Sequence, residues 1–139
     1  MKKKQKKILM AMLAVLLLIC LGVLWLFIPY ARFSNAGRID IVSVEKYTSD
    51  SQTDDLTSVI DVKELKMLIS KLECAKIPLG SVSDGTAFPL YNITFNYFDE
   101  QWTVVLGEGN ILYQNSDTRG YIISNSLLLI QALDVLTAN

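Results

Sequence analysis

The amino-acid sequence predicts an α+β domain carried on an N-terminal transmembrane helix, and three observations lead there. Ile8 to Tyr30 is a run of 23 residues without a charge. Residues 61–73 place apolar side chains at the 3.6-residue spacing of a helix with one buried face. Residues 90–123 alternate apolar and polar side chains in short runs broken by turn residues, as in antiparallel strands that bury one face. The elements read β-α-β-β-β-β-α: a four- to five-stranded antiparallel meander sheet with two helices against its core face.

The apolar run comes first in the chain. A segment crossing hydrocarbon must satisfy its own backbone, so it must be helical. At about 1.5 Å per residue, 8–30 is long enough to span a core of about 30 Å. Ile8, Leu16 and Leu24 represent its lipid-compatible body, while Trp25, Phe27 and Tyr30 gather at the C-terminal end, where amphipathic rings favour the headgroup layer. Pro29 sits where the helix should stop. Five lysines lie among residues 1–7, and a basic flank stays in the cytoplasm, so the remainder of the chain is expected outside. The division is a basic leader (1–7), an anchor (8–30), a tether (31–37) and an extracytoplasmic domain (38–139). The alternative is a cleaved signal peptide, because Ser34-Asn35-Ala36 carries small residues where a signal peptidase reads. The length of the apolar run, beyond the roughly 7–15 residues of a signal peptide, favours an uncleaved anchor. Cleavage after Ala36 would give a secreted domain.

Charge divides along the same line. Beyond residue 30 the chain has 8 basic and 14 acidic residues, a net of −6, which the near-neutral total conceals. An acidic domain lacks the basic footprint of a nucleic-acid binder. The chain has no histidine, which removes Ser-His-Asp and Cys-His nucleophile systems and His-ligated zinc. Of its two cysteines, Cys20 lies in the anchor and Cys74 in the domain, so they cannot pair within one chain. No metal, no cofactor and no catalytic constellation is expected, and the chain reads as a non-enzyme. Gly107-Glu108-Gly109 lacks the following Lys and Ser/Thr of a phosphate loop.

Residues 38–47 are rich in β-branched side chains with broken alternation, which predicts a bulged strand. Residues 48–58 are polar and acidic and predict a loop. In the helix over 61–73, Val62, Leu65, Leu68, Ile69 and Leu72 form the apolar stripe, Asp61 caps the first turn, and Ile60 before the cap packs on Leu65. Pro78 and Gly80 open a loop that ends near Pro89. A two-residue turn at Asp99-Glu100 pairs Tyr97 with Trp102, Phe95 with Val104 and Ile93 with Leu106 on one apolar face. A second turn at Glu108-Gly109 pairs Leu106 with Ile111 and Val104 with Tyr113, and a third near Asp117 pairs Tyr113 with Ile122. A last helix follows the cap candidates Ser124-Asn125-Ser126, with Leu129, Ile130, Leu133 and Leu136 as its stripe.

That register leaves Val105, Leu112 and Ile123, with Tyr121 close by, as an apolar row on the opposite face of the sheet. Contiguous exposed apolar surface marks contact sites. The first expectation is that a loop such as 78–89, or the tail of the first strand, covers the row; the sharper alternative is that the row, with Arg119 beside it, is an interaction patch. The expected partners are the lipid bilayer and another envelope or membrane protein. A second possibility is a sensor of a small ligand or envelope polymer that uses Asp84, Arg119 and the tyrosines; a pocket would favour it and a filled sheet–helix interface would count against it.

Three short patterns carry a resemblance: Ile60 to Leu65 (Ile-x-x-x-Glu-Leu), Ser81 to Gly85 (Ser-Val-x-Asp-Gly) and Arg119-Gly120-Tyr121. Across residues 38–125 the chain resembles an uncharacterised family of single-pass exported domains from Gram-positive bacteria. The resemblance implies a bacterial cell-surface setting and no particular activity.

Overall fold

The computed structural model describes residues 2–49, 52–81, 89–107, 109–117 and 119–138. The chain is α+β, with an apolar N-terminal helix followed by an antiparallel sheet and two further helices. Helix α1 spans Lys3–Leu26 and buries none of its residues against the rest of the chain. It is long and apolar enough to cross a membrane. It ends earlier than residue 30, with Phe27 as its C-cap. Pro29 cannot continue the ladder, and Tyr30 is drawn into the domain instead. The helical part of the uncharged run is Ile8 to Leu26, about 28 Å.

Residues 31–37, expected as a tether, belong to the domain. Strand β1 (Tyr30–Ala31) pairs antiparallel with β4 (Glu73–Cys74), Tyr30 opposite Cys74 and Ala31 opposite Glu73. Phe33 follows and is fully buried. A 3-10 turn over Ala36–Arg38 then leads into strand β2 (Ile39–Ser49). The expected bulge is present, between Ile41 and Ser43 where β2 pairs with β6 (Pro89–Tyr97). It turns Val42 outward and keeps Ile39, Ile41 and Val44 facing the core.

The main sheet has the order β3-β2-β6-β7-β8-β9-β5, every neighbour antiparallel. The remaining strands are β3 (Gln52–Asp55), β5 (Gly80–Ser81), β7 (Glu100–Gly107), β8 (Ile111–Gln114) and β9 (Arg119–Ile122). The five expected strands are the central ones. The acidic stretch expected as a loop instead contributes β3, an exposed edge paired to the end of β2.

Helix α2 (Val62–Ser70) starts as its sequence predicts. The Asp61 carboxylate accepts from the Lys63 and Glu64 amides at 3.0 and 3.2 Å, satisfying two of the four orphan donors. Helix α3 (Ser126–Thr137) buries Leu129 and Leu133, with Ile130 and Leu136 packed at the margin. Asn125 stands at its N-cap position but spends its side chain elsewhere. Its Oδ1 accepts from the Glu73 amide and its Nδ2 donates to the Lys71 carbonyl, both at 2.9 Å, so it ties the end of α2 to the start of α3. Both helices lie on the core face, and the space they share with the sheet, lined by Leu65, Ile69, Ile93, Val104, Leu129 and Leu133 among others, retains a cavity of only 10 Å³. That is barely the room one water occupies, so the sheet–helix interface is filled.

All three hairpin registers differ from expectation. The first hairpin turns at Phe98-Asp99, so that Phe95 faces Trp102, Ile93 faces Val104 and Tyr91 faces Leu106. This is a shift of two residues, which leaves the faces unchanged, so the apolar pattern cannot distinguish it. Phe98 takes a positive φ of 54°, unfavourable for a bulky residue, and its ring is held edge-on to Tyr97 with centroids 4.8 Å apart. The second hairpin differs by one residue and does change faces: Val104 pairs with Leu112 and Val105 with Ile111. Gly107, Gly109 and Asn110 all have positive φ, and the Gly107 amide donates to the Asn110 side chain at 2.9 Å. These residues build a longer loop than the expected two-residue turn, and the extra residue inverts the side-chain parity of β8. The third hairpin is shifted by two residues: Tyr113 pairs with Gly120 rather than with Ile122, Leu112 faces Tyr121 and Ile111 faces Ile122.

Candidate functional site

The domain places its least ordinary chemistry where the chain leaves α1. Lys76, beyond β4, reaches back to the helix: its Nζ donates to the Trp25 carbonyl at 2.8 Å and lies 3.7 Å from the centre of the Trp25 indole. A cation on the last carbonyls of a helix satisfies an orphan acceptor and opposes the negative end of the helix dipole. The same ammonium is 5.8 Å from the Tyr30 ring.

Arg32 lies further along the same contact chain. Its guanidinium carbon is 4.1 Å from the centre of the Tyr121 ring, 5.1 Å from Tyr30 and 5.5 Å from Trp102. Three rings around one guanidinium form a cation–π cage, and such contacts strengthen as water is removed. Cys74 is fully buried against this group; burial pushes its thiol up, and the nearby Arg32 partly opposes that shift. Among the described residues no carboxylate lies within ion-pair distance of Arg32. Two buried donors in the cluster have no partner: Arg32 Nε and Trp102 Nε1.

Phe33 fixes the cage. Its ring meets Phe95, Tyr97 and Trp102 edge-on with centroids 4.9, 5.0 and 5.3 Å apart. Segment 30–33 thus covers the part of the sheet's core face that α2 and α3 leave open. Sequence reasoning missed this element. Its signal was the run Tyr-Ala-Arg-Phe, too dense in aromatic and cationic side chains for a spacer.

The expected interaction row does not assemble as such. Leu112 is fully buried and Ile123 is 4% exposed; both belong to the core. Tyr121 also faces that side, packed against the core, with its ring centroid 6.2 Å from that of Trp102. Arg119 is exposed at the start of β9, its amide donating to Asp117 at 3.4 Å. Only Val105 remains on the opposite face. The parity change substitutes Ile111 and Ile122, so the apolar row there is Val105, Ile111 and Ile122, with Ile122 49% exposed. Ile111 lies across Gly80 and Gly120, where a side chain on Gly120 would collide with it. Further along, the same face becomes polar: Thr94 and Thr103 hydroxyls are 3.3 Å apart, Thr103 donates to Asn115 at 2.7 Å, and Asn115 donates to Gln101 at 2.6 Å. Asp84, named for the sensing alternative, lies outside the described residues. Of the anchor residues, Ile8, Leu16, Leu24 and Trp25 are exposed on α1, whereas Tyr30 sits in the domain.

One further polar cluster joins α3 to the sheet. Tyr91, fully buried, donates to Asp134 at 2.5 Å and lies 3.2 Å from the Thr137 hydroxyl, and Lys46 approaches Asp134 at 3.9 Å. Burial, reinforced by the hydrogen bond to Asp134, pushes the Tyr91 phenol up. Its hydrogen bonds are made, and it pins the C-terminal helix.

Comparison of the chain with protein-family models, with curated proteins and with solved structures finds no match.

Proposed function

We propose that the chain is a single-pass membrane protein whose domain is displayed outside the cytoplasm and works by contact with another envelope or membrane protein. The observation that carries this reading is the continuity between helix and domain. The backbone leaves α1 at Leu26 and within seven residues has paired with β4 and buried Phe33. Cleavage after Ala36 would strip Tyr30, Arg32 and Phe33 from the domain and expose the Phe95–Trp102 surface they cover. This favours a retained anchor over a secreted product. The basic leader supports an N-terminus in the cytoplasm, and a bacterial cell surface, implied by the resemblance in Ile60–Leu65 and Arg119–Tyr121, fits the same arrangement.

Contact is supported by the filled sheet–helix interface, whose cavity of 10 Å³ is too small for an organic ligand. The contact surface we assign is the Val105–Ile111–Ile122 row. Crosslinking in native membranes, followed by mass-spectrometric identification of adducts, tests it. Wild-type chain should give a discrete crosslinked species that Ile122→Asp abolishes while leaving the unfolding midpoint unchanged. Recovery of free monomer alone from the wild type would contradict the reading.

A further inference from the structure

Two orphaned donors in one buried cluster call for an acceptor. A polar hydrogen taken out of water and left unbonded costs about 1–3 kcal/mol, and buried donors are nearly always satisfied. Arg32 Nε and Trp102 Nε1 are both buried and both unpartnered, and Trp102 is 5% exposed. The guanidinium carbon lies 5.5 Å from the indole centre, so both N–H groups belong to one cluster. The charge points the same way: Arg32 has no carboxylate partner among the described residues and is surrounded by Tyr30, Trp102 and Tyr121. A guanidinium suits phosphate because its N–H groups match the oxygens geometrically.

Position narrows the source. Arg32 stacks on Tyr30, Tyr30 also contacts Lys76, and Lys76 is bonded to the last turn of α1. Where α1 leaves a bilayer is the layer in which phospholipid phosphates lie. We propose that Arg32 and Trp102 form a binding site for a phosphate group, taken from the headgroup of an anionic phospholipid next to α1, with Lys76 adding a second positive charge at its edge. The headgroup source rests on the membrane-spanning reading of α1; the phosphate chemistry does not.

The full chain, in nanodiscs of phosphatidylcholine with and without phosphatidylglycerol, is released into a native mass spectrometer. A parallel arm, in detergent, compares thermal unfolding in inorganic phosphate and in chloride at equal ionic strength. The informative variants are conservative. Trp102→Phe keeps a ring and removes the N–H; Arg32→Lys keeps the charge and removes the guanidinium with its Nε. Lys63→Gln on the exposed face of α2 serves as the control, and unfolding midpoints without phosphate report whether each variant folds. The wild type and the control should retain phosphatidylglycerol, and each variant should lose it by at least about tenfold, the effect of one charge-assisted hydrogen bond. Stabilisation by inorganic phosphate that both variants lose, with no lipid retained, would support the oxyanion site and reject the lipid as its source. If the chain does not insert into a bilayer, the detergent arm still reads the site. Equal lipid retention in all folded variants, together with no phosphate-specific stabilisation of the wild type, would overturn the proposal.

Discussion

Phe33 joins the two parts of the chain. A fully buried aromatic contributes through the area it removes from water, and the three edge-on contacts with Phe95, Tyr97 and Trp102 add to that. Phe33→Ala should cost about 3–5 kcal/mol of domain stability, measured by denaturant unfolding of the full chain in detergent. Were 31–37 a free tether, the same change would cost almost nothing. Tyr91 makes a second residue-scale prediction. Its phenol, like that of Tyr47, is held above its ordinary value, chiefly by burial. Above about pH 10 an unfolded chain has released these protons while the folded chain still holds them. The folded state therefore binds more protons there, and stability must fall as pH rises through that range. Unfolding midpoints should be nearly flat up to about pH 9 and decline above it. Tyr91→Phe should lessen the decline, although losing the bonds to Asp134 and Thr137 lowers the midpoint at neutral pH.

The elements were legible to the extent that their signals were local. The Asp61 cap, the Leu65 and Ile69 stripe of α2, the stripe of α3 and the alternating β6 and β7 all follow from spacing within one segment and are present. Helix α2 nevertheless ends at Ser70 rather than at residue 73, because Glu73 and Cys74 pair as β4, and Val62 is exposed. The bulge in β2 was visible as broken alternation. What alternation cannot carry is register, because a shift of two residues preserves every face and only turn geometry decides it. At Phe98-Asp99 a non-glycine residue takes positive φ. At Gly107–Asn110 three positive-φ residues lengthen the loop and move Leu112 from the outer face into the core. The expected patch failed on that one residue of parity. The corrected assignment separates two substitutions. Leu112→Asp buries a charge and should cost at least about 4 kcal/mol, enough to unfold the domain. Ile122→Asp, on the exposed side, should shift stability by no more than about 0.5 kcal/mol. Circular dichroism and urea unfolding of the two variants check the assignment; the original register predicts the opposite order for Leu112. Gly120→Ala belongs to this scale as well, since its new methyl meets Ile111 and the sheet backbone. Overpacking there should destabilise by about 1–3 kcal/mol.

At the scale of the whole molecule, the apolar segment and its basic flank were plain in the sequence, whereas its attachment was not. Segment 30–33 has no periodicity to read, and its partners Cys74, Trp102 and Tyr121 lie 40 to 90 residues away, so only the tertiary arrangement reveals it. That arrangement makes the helix and the domain one unit, with Lys76 on the last turn of α1 and Phe33 in the core. A domain built this way depends on keeping the segment that a signal peptidase would remove. The intact mass of the mature chain recovered from its native cells tests this most directly. The account predicts a species that retains residues 1–36 and stays with the membrane fraction after alkaline carbonate extraction. A soluble product beginning at Gly37, folded and lacking Phe33, would contradict it.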